Sequence, residues 1–390
     1  MKKILIIRFS SIGDIVLTSP VIRCLKNQLP DTELHFLVKK SFAGVVHNNP
    51  YLTKVWELND NFKDLIKELK KEGFDQIIDL HKNLRSEKVK RNLKIMSKTL
   101  KLSVITSFVG LWLTSYLSNK YQIIVGFILI LSFGVLHGAN DLVLINNLKS
   151  DKKINFRKLI LMYVLLIGIS ALLFTTIPIV ALILFIIVSS YHFGEQHWNE
   201  IVSPLNTSIL VFFRFNYGLL ILLLLFYIHA IEVIAIIFEI TQFSISKASI
   251  EIALIICSLL FIAITTKMYV DSTDFRKNII EQLFYLLVLA IVFKASSLIW
   301  GFAIYFIFWH SIPSLNDQIT FLYGEATWAN FKKYFKTAFV YWFISLIGIF
   351  GLYYIAKDML VFDALFFAFL ASITFPHCIV ILTMFQNKSR

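Results

Sequence analysis

The sequence has few cysteines and few charged residues, and both shortages exclude classes of protein. Its three cysteines, Cys24, Cys257 and Cys378, lie far apart in the chain. No two of them have the CxxC spacing of a zinc ribbon, and their scatter does not suggest a disulfide framework. Charged residues make up only 16% of the chain, while apolar residues make up 57%. A composition this apolar predicts a membrane protein.

The charged residues are concentrated near the N-terminus. Residues 1–95 contain 18 of the 38 Lys and Arg residues and 11 of the 25 Asp and Glu residues. This distribution predicts a soluble domain at 1–95 and a polytopic membrane domain at 96–390. The formal net charge is +13, but we do not expect nucleic-acid binding. Basic loops that face anionic lipid and the cytoplasm account for such an excess.

Strands and helices alternate in the first 95 residues. The segment 62–73 has the pattern of an amphipathic helix ended by Gly73. Short apolar runs predict buried strands at 2–9, 33–38, 53–58 and 75–80. Alternation of this kind is typical of a parallel sheet with helical crossovers.

The run RFSSIGDIVLTSP, residues 8–20, resembles the opening of ADP-heptose:lipopolysaccharide heptosyltransferases, and FDQIIDLHKNLRS is also similar to that family. The resemblance implies a Rossmann-like fold, with Asp14 as a candidate base at the acceptor sugar. It ends near residue 93, before one domain of that family is complete. We therefore expect a truncated half-domain without glycosyl transfer, in which Ser11 and Asp14 form an ordinary helix cap.

A basic run at 86–94 leads into Met96, where MSKTLK looks like the natural start of a separate protein. The chain is therefore predicted to be a fusion or the product of joined reading frames.

The remainder of the chain contains apolar segments long enough to cross a bilayer, which takes about 20 residues. We treat 231–243, which carries Glu232 and Glu239, as interfacial. The fold class is thus an all-α polytopic membrane bundle preceded by a small α/β Rossmann-like half-domain. About ten transmembrane helices are predicted, near 100–118, 122–139, 157–175, 177–193, 207–229, 248–266, 279–295, 297–312, 336–356 and 361–384.

The basic residues of the loops predict the orientation. Loops that share a side with the N-terminal domain contain 13 Lys and Arg residues, at 140–158, 267–278, 313–336 and 385–390. The opposite loops contain four, Lys120, Lys247, Lys294 and Lys357. The excess favours a multi-pass protein of the cell inner membrane, with its N-terminal domain in the cytoplasm.

Four histidines lie near the cytoplasmic ends of four different spans: His137, His192, His310 and His377. One such histidine is usually interfacial. Four at one depth indicate a metal site, because polar groups in a membrane need partners and neutral imidazole suits iron, copper or zinc. Asp141 and Glu195 are predicted to accept a hydrogen bond from the second ring nitrogen of a ligand. His197 is predicted either as an alternative ligand or as another outer partner of a ligand.

The motifs HGAND, YHFGE, FWHS and a late PH resemble, in order and spacing, the Brp/Blh family of membrane β-carotene dioxygenases. Membership implies ferrous iron held by histidines and cleavage of the central double bond of β-carotene by dioxygen, giving two retinals. His137, His192 and His310 match family ligand positions. The family often has a second histidine four residues after the third ligand, where this chain has Ser314. We therefore expect His377 as the fourth ligand, with His197 behind it.

Other functions are also compatible with several histidines in a membrane domain. A membrane b-type cytochrome also uses four histidines, but it pairs them at two depths. A non-catalytic carotenoid-binding membrane protein is the other alternative, with Ser314 marking lost activity. A di-iron desaturase is not favoured, because clustered HxxxH or HxxHH boxes are absent. If a carotenoid binds, the aromatic residues expected near the metal are Phe193, Trp198, Trp300, Phe308 and Trp309.

Overall fold

The structure is a computed structural model that describes residues 2–58, 61–81, 83–93, 98–148, 156–198, 207–324, 326–355 and 359–388. The chain divides into two compact units, Met1–Ser97 and Lys98–Arg390. The predicted junction at Met96 lies outside the described residues. So do the predicted loop lysines Lys149, Lys152 and Lys153.

The first unit is a four-stranded parallel sheet in the order β3-β2-β1-β4. Side chains alternate between its two faces, so Leu5 and Ile7 pack in one apolar cluster while Ile4 and Ile6 pack in the other. Both faces of β1 are therefore buried, as in α/β proteins with helices on either side. Its strands are β1 (Lys2–Ile7), β2 (Thr32–Lys39), β3 (Lys54–Leu58) and β4 (Gln76–Asp79), and its helices are α1 (Ile12–Val16), α2 (Ser19–Gln28), α3 (Phe62–Glu72) and α4 (Leu84–Leu93), with a 3₁₀ turn at Lys40–Val45.

Two local expectations about this unit are confirmed. Helix α3 ends at Gly73, which has φ +70°, the left-handed conformation that glycine adopts at low cost. Asp14 accepts hydrogen bonds from the backbone N–H and the hydroxyl of Ser11, at 3.3 and 3.1 Å, and pairs with Arg8. These hydrogen bonds and the Arg8 guanidinium hold the pKa of the Asp14 carboxyl below its usual value. Asp14 thus takes part in a helix cap.

The second unit is an all-α bundle. Among its described helices, eight are long and apolar enough to cross a membrane, and two shorter apolar helices, Leu102–Thr114 and Asn119–Gly134, precede them. These ten fall where ten spans were predicted. Its helices are α5 (Lys98–Thr114), α6 (Asn119–Leu129), α7 (Asp141–Leu148), α8 (Phe156–Thr176), α9 (Pro178–His197), α10 (Thr207–Ile228), α11 (Ala230–Thr241), α12 (Lys247–Asp271), α13 (Thr273–Ala295), α14 (Leu298–Ile304), α15 (Ile312–Tyr323), α16 (Trp328–Ile355) and α17 (Met359–Lys388).

Among the described residues of this bundle, two segments are π-helical. One, Ile130–Gly134, follows α6, and the other, Tyr305–Ser311, joins α14 to α15. A π-turn inserts an extra residue into a helix and rotates the side chains that follow, and such turns are frequent at functional sites. The first ends three residues before His137, and the second contains His310.

Helices α9 and α10 pack with their backbones in contact. A Cβ atom at Gly194 would lie 1.7 Å from the carbonyl oxygen of Arg214, and one at Gly218 would lie 1.9 Å from that of Ser190. Only glycine fits at these two positions, so they fix the distance between the two helices. His192 lies on α9 between Ser190 and Gly194.

Candidate metal centre

The imidazole rings of His137, His192, His310 and His377 form a closed ring of contacts inside the bundle. The centroid distances around it are 5.2 Å from His137 to His310, 4.6 Å from His310 to His192, 5.4 Å from His192 to His377 and 4.7 Å from His377 to His137. All four residues are at most 5% exposed. In His137, His310 and His377, one ring nitrogen of each lies within 4.8 Å of the others.

His137 is oriented by its own helix. Its Nδ1 atom donates a hydrogen bond to the carbonyl oxygen of Gly134, the last residue of the first π-turn. This leaves Nε2 as the nitrogen with a free electron pair. The hydroxyl of Tyr334 lies 3.1 Å from the His137 carbonyl oxygen and 2.7 Å from Oε1 of Gln318. The ring and the backbone of His137 are therefore both held.

His377 is oriented by a carboxylate from a different helix. Its Nδ1 atom lies 2.8 and 3.1 Å from the two carboxylate oxygens of Asp141. The hydroxyl of Tyr163, on α8, donates to the same carboxylate at 2.6 Å. Asp141 is 1% exposed. A carboxylate that accepts from the second nitrogen of an imidazole is the usual outer partner of a metal-binding histidine.

Several ring nitrogens of this cluster have no hydrogen-bond partner among the described residues. In the described part of the chain, His192 Nε2, His310 Nδ1 and His377 Nε2 are buried without a hydrogen bond. Buried polar atoms are nearly always paired, so each of these is expected to bind something that is not part of the chain. Several buried imidazoles with free nitrogens form a donor set suited to a transition metal.

All four histidines line one cavity. The space in it that is open to the centres of water-sized molecules is about 130 Å³. Apart from the histidines, its lining is almost entirely aliphatic and aromatic, with side chains from α9, α10, α11, α14 and α17. Such a lining suits an apolar molecule, with the histidine cluster as the polar part of the wall.

Aromatic residues of α14 and the second π-turn extend from the cluster along the cavity. Phe306 stacks on His310 at 5.6 Å, and Phe302 stacks on Phe306 at 5.2 Å. Sequence analysis missed both residues, although their spacing of four and eight residues before His310 was a usable signal. Of the five aromatic residues expected near the metal, Phe193 contacts His192 and His310.

The other four expected aromatic residues have different partners. Trp198 packs on Phe213 and Phe275, and Trp300 donates a hydrogen bond to Thr114. Trp309 stacks on His197, while the backbone carbonyl of Phe308 accepts from Ser103.

Two residues predicted at the site have other contacts in the structure. The ring of His197 lies among Tyr217, Tyr305 and Trp309, outside the ring of four histidines. Glu195 accepts a hydrogen bond from Tyr191 at 3.1 Å and lies 3.6 Å from the Arg214 guanidinium. Its described hydrogen bond and ion pair therefore involve a phenol and a guanidinium.

Ser314 is linked to His137 through the side chains of Gln318 and Tyr334. It is fully buried, and its hydroxyl accepts a hydrogen bond from Nε2 of Gln318 at 3.1 Å. Gln318 in turn accepts from Tyr334, whose hydroxyl also lies beside the His137 carbonyl. The fourth imidazole of the cluster comes instead from His377, directly after Pro376 within α17.

Two comparisons with known proteins match different parts of the chain. A sequence model of the family described as Beta-carotene 15,15'-dioxygenase matches residues 128–385. That range contains the four clustered histidines, Asp141 and every residue that lines the cavity.

The N-terminal region is similar to a different protein. Lipopolysaccharide heptosyltransferase 1 from Campylobacter coli is 29% identical over 145 aligned residues, which cover 30% of this chain and 42% of that relative. The chain therefore spans less than half of the length of this curated relative. No solved structure matches the chain.

Proposed function

The chain belongs to the β-carotene 15,15'-dioxygenase family, and we propose that its membrane unit cleaves the central double bond of β-carotene with dioxygen to give two retinal molecules. The supporting observation is the closed ring of four buried imidazoles at the wall of an apolar cavity. In the overall reaction, the two carbons of the broken bond each receive one oxygen atom of dioxygen and become aldehydes.

The residues fit a bound ferrous ion. His137, His192, His310 and His377 are the proposed ligands. Ring nitrogens of His137, His310 and His377 lie within 4.8 Å of one another, and the His192 ring contacts those of His310 and His377. In the described part of the chain, His192, His310 and His377 each have a buried ring nitrogen without a hydrogen bond. Iron held in this way supplies the redox chemistry that activates dioxygen. Asp141 is buried beside His377. A buried carboxylate needs a compensating positive charge, and a metal ion bound to His377 provides one.

The protein's own contribution is to place the substrate and to exclude water. An apolar polyene dissolved in lipid reaches the cavity without crossing an aqueous phase. The stacked rings of Phe302 and Phe306 offer flat faces beside the histidines, where a conjugated chain packs well. Central cleavage requires the middle of the polyene to lie at the histidine cluster.

The arrangement of the rings favours one metal over two haems. A b-type cytochrome needs two separate pairs of axial histidines, whereas these four rings contact one another in a single cycle. We further propose that the protein is a multi-pass protein of the cell inner membrane. The Lys and Arg residues of the loops support a cytoplasmic position for the metal centre and the N-terminal unit.

The test is product analysis with the purified full chain. Protein loaded with ferrous iron is given β-carotene and ¹⁸O-labelled dioxygen. The products are separated, and their molecular masses are determined by mass spectrometry. We expect two retinals per carotenoid, with label in the aldehyde oxygen. Apocarotenals of unequal length would retain the dioxygenase class but contradict central cleavage. Bound β-carotene without any aldehyde product would favour the non-catalytic binder.

A further inference from the structure

The cavity contains one buried hydroxyl that forms no hydrogen bond within the described part of the chain. Ser189 is 2% exposed and lines the cavity, and its Oγ atom has no partner there. Other helical hydroxyls in this chain donate to the carbonyl four residues earlier, including those of Ser170, Ser190, Ser258, Ser345 and Ser372. That internal bond is the ordinary way for serine to satisfy its hydroxyl inside a membrane helix.

Ser189 also differs from the other polar side chain of the cavity lining. Among the described residues that line the cavity, only Ser189 and Thr374 have a polar side chain other than imidazole. The hydroxyl of Thr374 donates to the Leu370 carbonyl at 2.7 Å and is satisfied. Ser189 is therefore the hydroxyl of the lining that is left to bind a polar atom of a bound molecule.

The position of Ser189 restricts which polar atom of a bound molecule its hydroxyl can bind. Ser189 precedes His192 by three residues on α9, so the two lie on the same side of the helix, about 4.5 Å apart along its axis. A hydroxyl on the end ring of an oxygenated carotenoid lies at the far end of the polyene from its central bond. In the proposed reaction, an oxygen attached to the central carbons would lie next to the histidines, on the side of α9 that carries both His192 and Ser189.

We propose that Ser189 donates a hydrogen bond to the aldehyde oxygen of a retinal product, at the carbon that lay beside the metal centre. This inference rests on the proposed function. β-Carotene is a hydrocarbon, and its central carbons offer no acceptor before cleavage. The hydrogen bond therefore forms only as a carbon–oxygen double bond develops, and it stabilises product more than substrate. Ser189 thereby positions the nascent carbonyl.

The test measures retinal bound to the purified full chain, without turnover. The carbonyl stretch of ¹³C-labelled retinal is recorded by infrared difference spectroscopy, and the affinities for retinal and β-carotene are titrated in parallel. The variants are Ser189→Ala and Ser189→Cys, of which the second retains the shape of serine. The matched controls are Ser190→Ala and Thr374→Val, which remove hydroxyls that are bonded to their own helix.

In the unmodified chain and both controls, the stretch is expected below its frequency in a hydrocarbon solvent. Both Ser189 variants should return it to that frequency and weaken retinal binding about 3–10-fold, with β-carotene affinity unchanged. The same stretch in the unmodified chain and both variants, or an equal loss of β-carotene affinity, overturns the hydrogen bond while leaving the proposed function intact. An unmodified, iron-loaded chain that makes no retinal overturns the proposed function and this inference together.

Discussion

At the scale of single residues, hydrogen bonds select which nitrogen of an imidazole is available. In His137 the Gly134 carbonyl accepts from Nδ1, and in His377 the Asp141 carboxylate is bonded to Nδ1. Nε2 is therefore the ring nitrogen that both residues have available for a metal. The two partners differ in charge, because a carbonyl is neutral and a carboxylate is an anion. His377 is thus the more strongly electron-donating of the two proposed ligands.

Replacing His192 with Ala should remove an innermost ligand. No spare imidazole from the described residues lies in the ring of four, so we expect retinal formation to fall more than ~100-fold, beyond the 10–100-fold typical of losing an outer partner. Iron content, measured by mass spectrometry, should fall with it. His47→Ala is a matched control, since His47 is an exposed residue of the first unit. Normal iron content and activity in the His192 variant would contradict its role as a ligand.

Replacing Asp141 with Asn should have a milder effect. The amide retains the size of the side chain but loses the negative charge beside His377, so we expect about a 10–100-fold loss of activity or iron affinity. Tyr163→Phe removes the phenol that donates to the same carboxylate and should cost less. We therefore expect the rate of retinal formation to be highest in the unmodified chain, lower in Tyr163→Phe and lowest in Asp141→Asn. Equal losses in both variants would indicate general destabilisation.

At the scale of helices, position and orientation have different origins in the sequence. The apolar runs predict where the spans lie, and they place the four histidines at one depth. The π-turns at Ile130–Gly134 and Tyr305–Ser311 were not predicted, because nothing in the hydropathy pattern marks an extra residue in a turn. These turns rotate His137 and His310 relative to the preceding helix.

Contacts between distant helices were also beyond sequence reasoning. Asp141 was predicted as an acceptor for a ligand ring, but its pairing with His377 joins residues 236 positions apart. Tyr163 was not considered at all, since a lone tyrosine in an apolar helix has no distinctive pattern. Spacing along one helix reveals neighbours on that helix only. The choice among helices depends on how the bundle packs.

The close approach of α9 and α10 gives a prediction at this scale. Gly218→Ala places a methyl group against the Ser190 carbonyl, and backbone atoms cannot rotate away. We expect a loss of stability of about 1–3 kcal/mol, typical of overpacking, and weaker iron binding because Ser190 is two residues from His192. Gly168→Ala is the matched control, because a methyl group added there would have no neighbouring atom within 4 Å. When thermal unfolding is followed in detergent, only the Gly218 variant should have a lower Tm than the unmodified chain.

At the scale of the whole molecule, the two units have different folds and different candidate functions. The first contains a parallel sheet with its own apolar clusters on both faces. The second contains all four clustered histidines and the cavity. The N-terminal region is similar to part of a heptosyltransferase, of which the chain spans 42%. We propose that the first unit contributes nothing to carotenoid chemistry.

A shortened chain that begins at Met96 should therefore retain the full rate of retinal formation. The physical reason is that the ring of histidines, the Asp141–His377 pair and the lining of the cavity all lie between residues 134 and 377. Rates are compared per mole of iron-loaded protein, so that a difference in yield does not count as a difference in activity. Asp14→Ala in the full chain serves as a second measurement, because it alters the cap of α1 while leaving the chain length unchanged. A large loss of turnover in the shortened chain, at equal iron content, would mean that the N-terminal unit has a function in the membrane reaction.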